Sequence, residues 1–589
     1  MNINRTARLS FTLLALLSCS AVCAMPTDDL PPPAAAASTA TSTAAQVGTR
    51  QDQSSTQGNK SSSTPVATKD TVATPSAAIQ AGGQPDQPAA QTHKAPTAMA
   101  IKGADVTPKE AAVVAQVANP NDSSGFRLMT LSTNALLSRV SLADQAEQTI
   151  DLQYYIFKND ATGRLIALHL LQAADRGVHV RILLDDLNLV DEVRLFNALD
   201  SHPNIEVKLF NPYHSPRPTM LSRAAQFVLE FRRLNRRMHN KSFIVDNDVA
   251  VIGGRNIGDE YFDAKVDNNY RDLDVLAIGP VVPAATRSFE AYWSSDAAHP
   301  VTEYRSKTDP AIDLVSVRKN LEKNARKFDD SAYKQAAAND LPNGASADRP
   351  GNWYWGPATL VADQPEKIET GPERTDLRIG PELKTLIKNA QSEVLLMSPY
   401  FVPSKHDEEN FVALAQAGVA VKILTNSLAS TDELAVHEGY SSHRHALLKG
   451  GVQLFELKPA PGVKMTATDI GTSSGVSLHA KSFVVDRRYV YIGSLNMDQR
   501  SKLLNTEMGV VVDSPQLAKA VAEFFDTATS PENAYHVVLG KPDGSHPSDL
   551  HWQASKDGKD VDYDSEPDAP MHRRIDVLLL KLLPIDALL

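Results

Sequence analysis

Cysteine is almost absent from this chain of 589 residues: Cys19 and Cys23 are the only two, and both lie near the N-terminus. The remainder can form neither a disulfide nor a cysteine-ligated metal site. An excess of positive charge is missing too. The formal net charge is −11, the opposite of the basic surface that a non-specific nucleic-acid binder carries. Long apolar runs are also lacking. Leu9–Leu17 and Ile575–Leu583 are the notable apolar stretches, and both fall short of the roughly 20 residues that span a bilayer. Between Pro26 and about Asn119 large apolar residues are scarce and Ala, Ser, Thr, Gln and Pro dominate. Such a segment cannot bury enough surface to offset its ordering entropy.

The first expectation is therefore an organisation of unequal parts. Arg5 and Arg8 before the short apolar run mark residues 1–24 as an export signal. Two cleavage readings compete: Val22-Cys23-Ala24 before Met25 suits ordinary signal peptidase, and Leu16-Leu17-Ser18-Cys19 suits a lipoprotein with Cys19 lipidated. Residues 25–119 read as a disordered tether, 120–304 and 376–530 as two domains, 305–375 as a polar link, and 531–589 as a C-terminal extension.

What the chain does have is a repeat. Residues 239–246 read HNKSFIVD and residues 479–486 read HAKSFVVD, identical at six of eight positions. Each is His-x-Lys-x4-Asp. Fourteen residues after His239 stand Gly253-Gly254, then Asn256; at the same offsets after His479 stand Gly493-Ser494, then Asn496. One chance match of such a pattern is expected on the order of 0.05 times in a chain of this size, so two with matched downstream residues are a duplication. The duplication extends further. TIDLQYYIF (149–157) matches SEVLLMSPYF (392–401), GVHVRILLDD matches GVAVKILTNS, and NIEVKLFNP matches GVQLFELKP, with helical segments between. Strands alternating with helices predict an α/β fold, a sheet with helices on both faces, built twice.

SFIV and SFVV are short β-branched runs, so each motif reads as a buried strand. Residues i and i+2 leave a strand on one face, so His239 points with Lys241 and His479 with Lys481. Asp246 and Asp486, at an odd offset, point away or sit in the following turn, and read as mainly structural members of the motif. Pseudo-twofold packing of the repeats brings two imidazoles, two ammonium groups and two Asn side chains around one point. That is a site for a phosphate diester: cations and amides hold the oxygens, one histidine attacks phosphorus and the other protonates the leaving alcohol. No metal or other cofactor is needed, because the cations are built in. The acidic insertion at 259–267 is the one metal candidate, and a solvated loop is its simpler reading.

These motifs resemble the phospholipase D superfamily, whose signature is a duplicated His-x-Lys-x4-Asp followed by Gly, then Ser or Gly, then any residue and Asn. The resemblance implies two pseudo-symmetric α/β/α halves with the active site at their interface. It implies His239 as nucleophile and His479 as general acid, then base, although the inequality of the halves leaves that order open. It implies phosphate binding by Lys241, Lys481, Asn256 and Asn496, with Ser494 in the second motif where the first has Gly254. It also implies a carboxylate orienting each histidine from a neighbouring strand. Glu507, 28 residues after His479, fits; in the first copy Asp272 is the counterpart at offset 33, with Asp274 as the other option.

Within the superfamily, LNRRMHNKSF, GGRNIGDEYF, HEGYSSHRHALLKGG and the C-terminal EPDAPMHRRIDVLLLKLLPIDALL resemble the third class of bacterial cardiolipin synthases over residues 120–589. That implies phosphatidyl transfer to phosphatidylglycerol from phosphatidylethanolamine or a second phosphatidylglycerol, at a membrane surface, with no nucleic-acid partner. A phospholipase D that hydrolyses the same intermediate, an exported nuclease, and a lipid-binding envelope protein with a decayed site are the alternatives. The four arginines of FRRLNRRMHNK suit an anionic partner or a solvated loop face. Arg573, Arg574 and Lys581 around the C-terminal apolar run suit an interfacial helix or a packed one. Tyr155, Tyr400 and His437 are pocket candidates by position, with core packing as the default.

Overall fold

The computed structural model describes residues 123–187, 189, 192–213, 220–265, 268–304, 313–329, 353–459, 475–540 and 549–581. The proposed signal (1–24), Cys19 and the whole of the tether (25–119) lie outside them. All the described residues belong to one compact unit.

The first half contributes β1 (Ser124–Met129), β2 (Thr149–Tyr154), β3 (His179–Asp185), β4 (Ile205–Phe210), β5 (Ser242–Val245), β6 (Val249–Gly253), β7 (Asn269–Arg271), β8 (Asp274–Ile278) and β9 (Ala298–Pro300). The segment expected as a polar link supplies β10 (Tyr354–Gly356) and β11 (Ala358–Ala362). The second half follows with β12 (Glu393–Met397), β13 (Ala420–Asn426), β14 (Gln453–Leu457), β15 (Val476–Leu478), β16 (Ser482–Val485), β17 (Tyr489–Gly493) and β18 (Met508–Asp513). The C-terminal extension adds β19 (Ala534–Leu539), β20 (Leu550–Lys556) and β21 (Lys559–Tyr563).

Two mixed sheets result, ordered β10-β1-β8-β6-β5-β2-β3-β4-β9 and β11-β18-β17-β16-β12-β13-β14-β19-β20-β21. The repeat is visible in their centres: β2, β3 and β4 run parallel as do β12, β13 and β14, and each motif strand, β5 or β16, pairs antiparallel with the first of its trio. The link is not a bare connection, since β10 pairs with β1 and β11 with β18, one edge on each sheet. Its helix Leu314–Asp329 puts Leu321 and Phe328 into the first half's core.

The central strands are apolar on both faces because both faces are buried. Val249 and Val251 point to a core shared with helices Ser132–Gln145, Ala161–Asp175 and Val193–Leu199; Ala250 and Ile252 point the other way. That second core is common to both sheets. It joins Ile244, Ile252 and Val275 of the first to Val484, Ile492 and Val510 of the second, with Phe289 and Phe525 from helices Val281–Trp293 and Pro515–Ala528. The outer face of the second sheet packs Phe411, Tyr440 and Leu447 from its own helices. Burying the inner faces against each other is what carries the two motifs to one seam.

Both motif aspartates sit in the hairpin turns after the motif strands. Asp246 and Asn247 have φ of 52° and 59°, and Asp486 and Arg487 have 54° and 51°. Asn and Asp tolerate this left-handed region better than other residues with a Cβ. The Asp246 carboxylate accepts from the backbone N–H groups of Glu147, Gln148 and Thr149 at 2.7–2.9 Å. Asp486 does the same for Gln391, Ser392 and Glu393. Each turn is thus fastened to the start of the neighbouring strand, β2 or β12.

Candidate active site

Short parallel bridges between the halves assemble the site. In one, β7 of the first half pairs with β15 of the second, and the His479 N–H donates to Arg271 O at 2.7 Å. In the other, Met238 pairs with Thr506, and the His239 N–H donates to Thr506 O at 2.9 Å. Each histidine follows one arm of a bridge, and a carboxylate follows the other arm. Histidine and carboxylate therefore come from opposite halves. His239 Nδ1 lies 2.8 Å from Glu507 Oε2, and His479 Nδ1 lies 2.5 Å from Asp272 Oδ2. The sequence order, which sets Glu507 after His479 and Asp272 after His239, is exchanged in space. Asp274 is elsewhere: it holds the buried guanidinium of Arg139 at 2.9 Å.

The inequality of the two glycine motifs has a steric origin. The Ser494 hydroxyl donates to Glu507 Oε2 at 2.5 Å and accepts from the Met508 N–H at 3.0 Å. Ser494 thus holds the carboxylate behind His239. In the first half, a Cβ on Gly254 would come within 2.2 Å of Asp272 Oδ1. The shorter Asp272 side chain approaches the backbone where a serine would stand, and the Leu273 N–H fixes its Oδ1 at 2.8 Å.

The lysines enter as expected from the i, i+2 spacing, although β5 and β16 begin one residue after them. Lys241 Nζ donates to His239 O at 2.6 Å, and Lys481 Nζ donates to His479 O. An ammonium has three donors, so each keeps two. The Asn pair is unequal. Asn256 Nδ2 donates to the Tyr261 hydroxyl at 2.9 Å and its Oδ1 accepts from the Ile156 N–H at 3.3 Å. Asn496 Oδ1 is buried with no partner among the described residues.

Electrostatics follow from burial. Desolvation holds both imidazoles well below their ordinary pKa, and the two lysines push the same way. Lys241 is driven down to about 7 and Lys481 to about 8, burial outweighing the pull of Glu507 and Asp272. Burial also pushes Glu507 up to about 7 and raises Asp272. With Nδ1–H donated to a carboxylate, a neutral imidazole carries its lone pair on Nε2. Burial favours the neutral lysines, and a bound anion would favour the charged ones.

Several residues were not legible as site members. Tyr261, from the acidic insertion, and Tyr270, from β7 just after it, place their rings 5.2 and 4.9 Å from that of His479. The insertion is a wall of the site and not a solvated loop: Asp259 accepts from the Thr162 N–H at 2.8 Å, and Asp263 pairs with Arg271 at 2.7 Å. No metal-binding cluster of His, Cys, Asp and Glu occurs among the described residues. Asp185 and Asn426, at equivalent ends of β3 and β13, hold the chain just before each histidine through Met238 N–H at 2.9 Å and Leu478 N–H at 2.8 Å. The polar ends of RILLDD and KILTNS are the only sequence sign of them.

The position-only candidates divide. Tyr155 does flank the site, its ring 5.1 Å from that of His239. Tyr400 lies one step out, bonded to Asp432 at 3.0 Å. His437 belongs to a buried cluster with Arg444 and Glu566 that fastens the C-terminal extension. Of the FRRLNRR arginines, Arg237 is fully buried against Asp185 at 2.6 Å, Arg236 donates to Ile368 and Thr370 carbonyls, and Arg233 donates to Asn211. Three of the four therefore do structural work, and of the four only Arg232 is exposed.

A family model described as cardiolipin synthase, PLD-like domain, matches residues 140–293 and 383–529. Cardiolipin synthase C of Escherichia coli K12 is 38% identical over 467 residues, covering 78% of this chain and 94% of that protein. A cardiolipin synthase of Clostridium perfringens SM101 is 26% identical over 383 residues, covering 65% of each chain. Among solved structures, the phosphatidylserine synthase of Haemophilus influenzae Rd KW20 superposes with a TM-score of 0.50 at 13% identity, over 81% of this chain and 98% of that one. That likeness concerns the fold.

Proposed function

Since the chain belongs to the phospholipase D-like family of cardiolipin synthases, we propose that it transfers a phosphatidyl group from a phospholipid donor to phosphatidylglycerol through a phosphohistidine. His239 Nε2 attacks phosphorus, the P–N bond forms, and the P–O bond to the headgroup breaks. His479 gives its proton to the departing alkoxide. A hydroxyl of phosphatidylglycerol then attacks the phosphorus, losing its proton to His479, and the P–N bond breaks to release cardiolipin. Lys241, Lys481 and Asn496 hold the non-bridging oxygens, and Asn256 contributes its remaining N–H.

One observation carries this reading: two buried histidines in one seam, each fixed at Nδ1 by a carboxylate of the other half, with a lysine two residues on. Both motifs are whole, which speaks against a decayed site. Burial favours the neutral imidazole at His479, so His479 takes up its proton from solvent as the anionic phosphodiester binds. An anionic phosphodiester beside two lysines raises the proton affinity of every base around it.

The lipid surface is part of the proposal. In the C-terminal helix Met571–Leu580, Met571, Ile575, Leu578 and Leu579 are 70%, 50%, 64% and 57% exposed, a stripe at helical spacing. The arginines expected at headgroups point inward instead, Arg573 donating to the carbonyls of Leu428, Ala429 and Thr431. No helix among the described residues is long and apolar enough to cross a membrane. The apolar stripe would thus rest in the interface, and the export-signal reading would put that interface outside the inner membrane.

The test is lipid product analysis. Purified protein is incubated with phosphatidylglycerol vesicles, with and without phosphatidylethanolamine, and the lipids are resolved by mass spectrometry. Cardiolipin is expected, and its dependence on phosphatidylethanolamine names the donor. Phosphatidic acid alone would make the enzyme a hydrolase.

A further inference from the structure

We infer that Asp432 receives the alcohol end of the phosphodiester, accepting hydrogen bonds from N–H or O–H groups that the headgroup carries beyond its ester oxygen. The inference rests on the phosphatidyl-transfer reading and assigns to that site a residue that selects headgroups.

Asp432 is an exposed carboxylate at the edge of a pocket otherwise built for an anion. A phosphate alone gains nothing from it, since like charges repel. Its place is nonetheless fixed from both halves. The Tyr270 hydroxyl, from the first half, and the Tyr400 hydroxyl, from the second, both donate to its Oδ2 at 3.0 Å. The Tyr270 ring lies 4.9 Å from that of His479, the histidine assigned to protonate the leaving alcohol. Asp432 also acts electrostatically on Lys481. The carboxylate is therefore on the headgroup side of phosphorus.

Two phenols on one oxygen leave the other unused. No described residue donates to Asp432 Oδ1, and Asp432 forms no ion pair among the described residues. A carboxylate whose only task was to anchor two tyrosines would do so equally well with an amide oxygen. A retained charge with open lone pairs suits a donor that arrives with the substrate: the ammonium of an amino alcohol or the hydroxyls of a polyol. A headgroup with neither, such as a methyl ester, would take nothing from it.

The experiment uses one mixed vesicle with equal parts phosphatidylethanolamine, phosphatidylglycerol and phosphatidylmethanol. The initial release of ethanolamine, glycerol and methanol is measured for the wild type and for Asp432→Asn. Competition in one vesicle gives ratios of kcat/KM, and partial misfolding lowers all three rates together without moving the ratios. Loss of a charge-assisted hydrogen bond is expected to lower the ethanolamine-to-methanol ratio about ten- to hundredfold. A fall in both ratios to methanol means that ammonium and hydroxyl share the acceptor; a fall in one names the group that uses it. Asp432→Glu, which keeps the charge, is expected to retain more of the wild-type ratios than the Asn variant. Ratios unmoved by Asp432→Asn overturn the assignment. A wild type that releases no headgroup defeats the transfer reading itself and the assignment with it.

Discussion

At the residue scale the site is governed by what burial does to charge. Lys241 and Lys481, driven down to about 7 and 8, must be protonated to hold a phosphate diester. The free site then binds fewer protons than the complex, so binding strengthens as pH falls and weakens as pH rises through 7 to 8. In the proposed mechanism His239 attacks as the neutral imidazole, and burial holds its pKa well below the ordinary value. The expected kcat/KM falls as pH rises, because His479 must gain a proton, and falls more steeply through pH 7–8 as the lysines lose theirs, with an acid limb well below pH 6.5 where His239 is protonated. A profile flat from pH 7 to 9 would contradict the lysine assignment. Gly254 gives a second residue-scale prediction. A methyl group there meets the Asp272 carboxylate at 2.2 Å, so Gly254→Ala should displace it from His479 and lower kcat/KM by about one to two orders of magnitude. Gly493, whose added Cβ would meet the Met508 carbonyl at 2.3 Å, contacts no such carboxylate; its substitution should register in stability first.

At the element scale, two pieces have separable jobs. The motif aspartates secure hairpins and strand starts. Asp246→Ala removes three hydrogen bonds to the start of β2, and the expected cost is about 1–3 kcal/mol in denaturant unfolding. If Asp246→Ala instead cut turnover with no change in stability, the aspartate would belong to the chemistry. The C-terminal helix is held by Arg573 and by the exclusion of Val577 from water, while its apolar stripe faces out. Removal of residues 571–589 is expected to weaken sedimentation with vesicles several-fold and to leave the fold's main transition in place. Undiminished vesicle binding would make the stripe a surface for something other than lipid.

At the scale of the whole molecule, the repeat was legible and its crossing was not. The duplicated motif and the matched strands such as GVHVRILLDD and GVAVKILTNS set out both halves, because a buried strand leaves a run of β-branched residues whatever it packs against. The seam leaves no such mark. Arg271 and Thr506 bridge to the opposite half through backbone groups, which any residue can supply, so sequence offset alone pairs Glu507 with the wrong histidine. Charge alone did not decide either. Arg236 and Arg237 left an anionic partner and a solvated loop face open, and Arg573 an interfacial and a packed helix; all three spend their donors on internal carbonyls and on Asp185. The edge strands β10 and β11 were hidden because three to five residues of pairing in a polar stretch have no periodicity to detect.

The central claim is one site shared between halves, with His239 carrying the phosphatidyl group. The direct measurement is acid quench of the enzyme with a phosphorus-labelled phosphatidyl nitrophenyl ester, whose leaving group departs without an acid. The label is expected on His239. It should form slowly in Glu507→Gln, whose carboxylate orients the nucleophile. It should accumulate in Asp272→Asn, where His479 has lost its partner and the acceptor hydroxyl its base. Label on His479, or an exchange of effects between the two variants, would contradict the account.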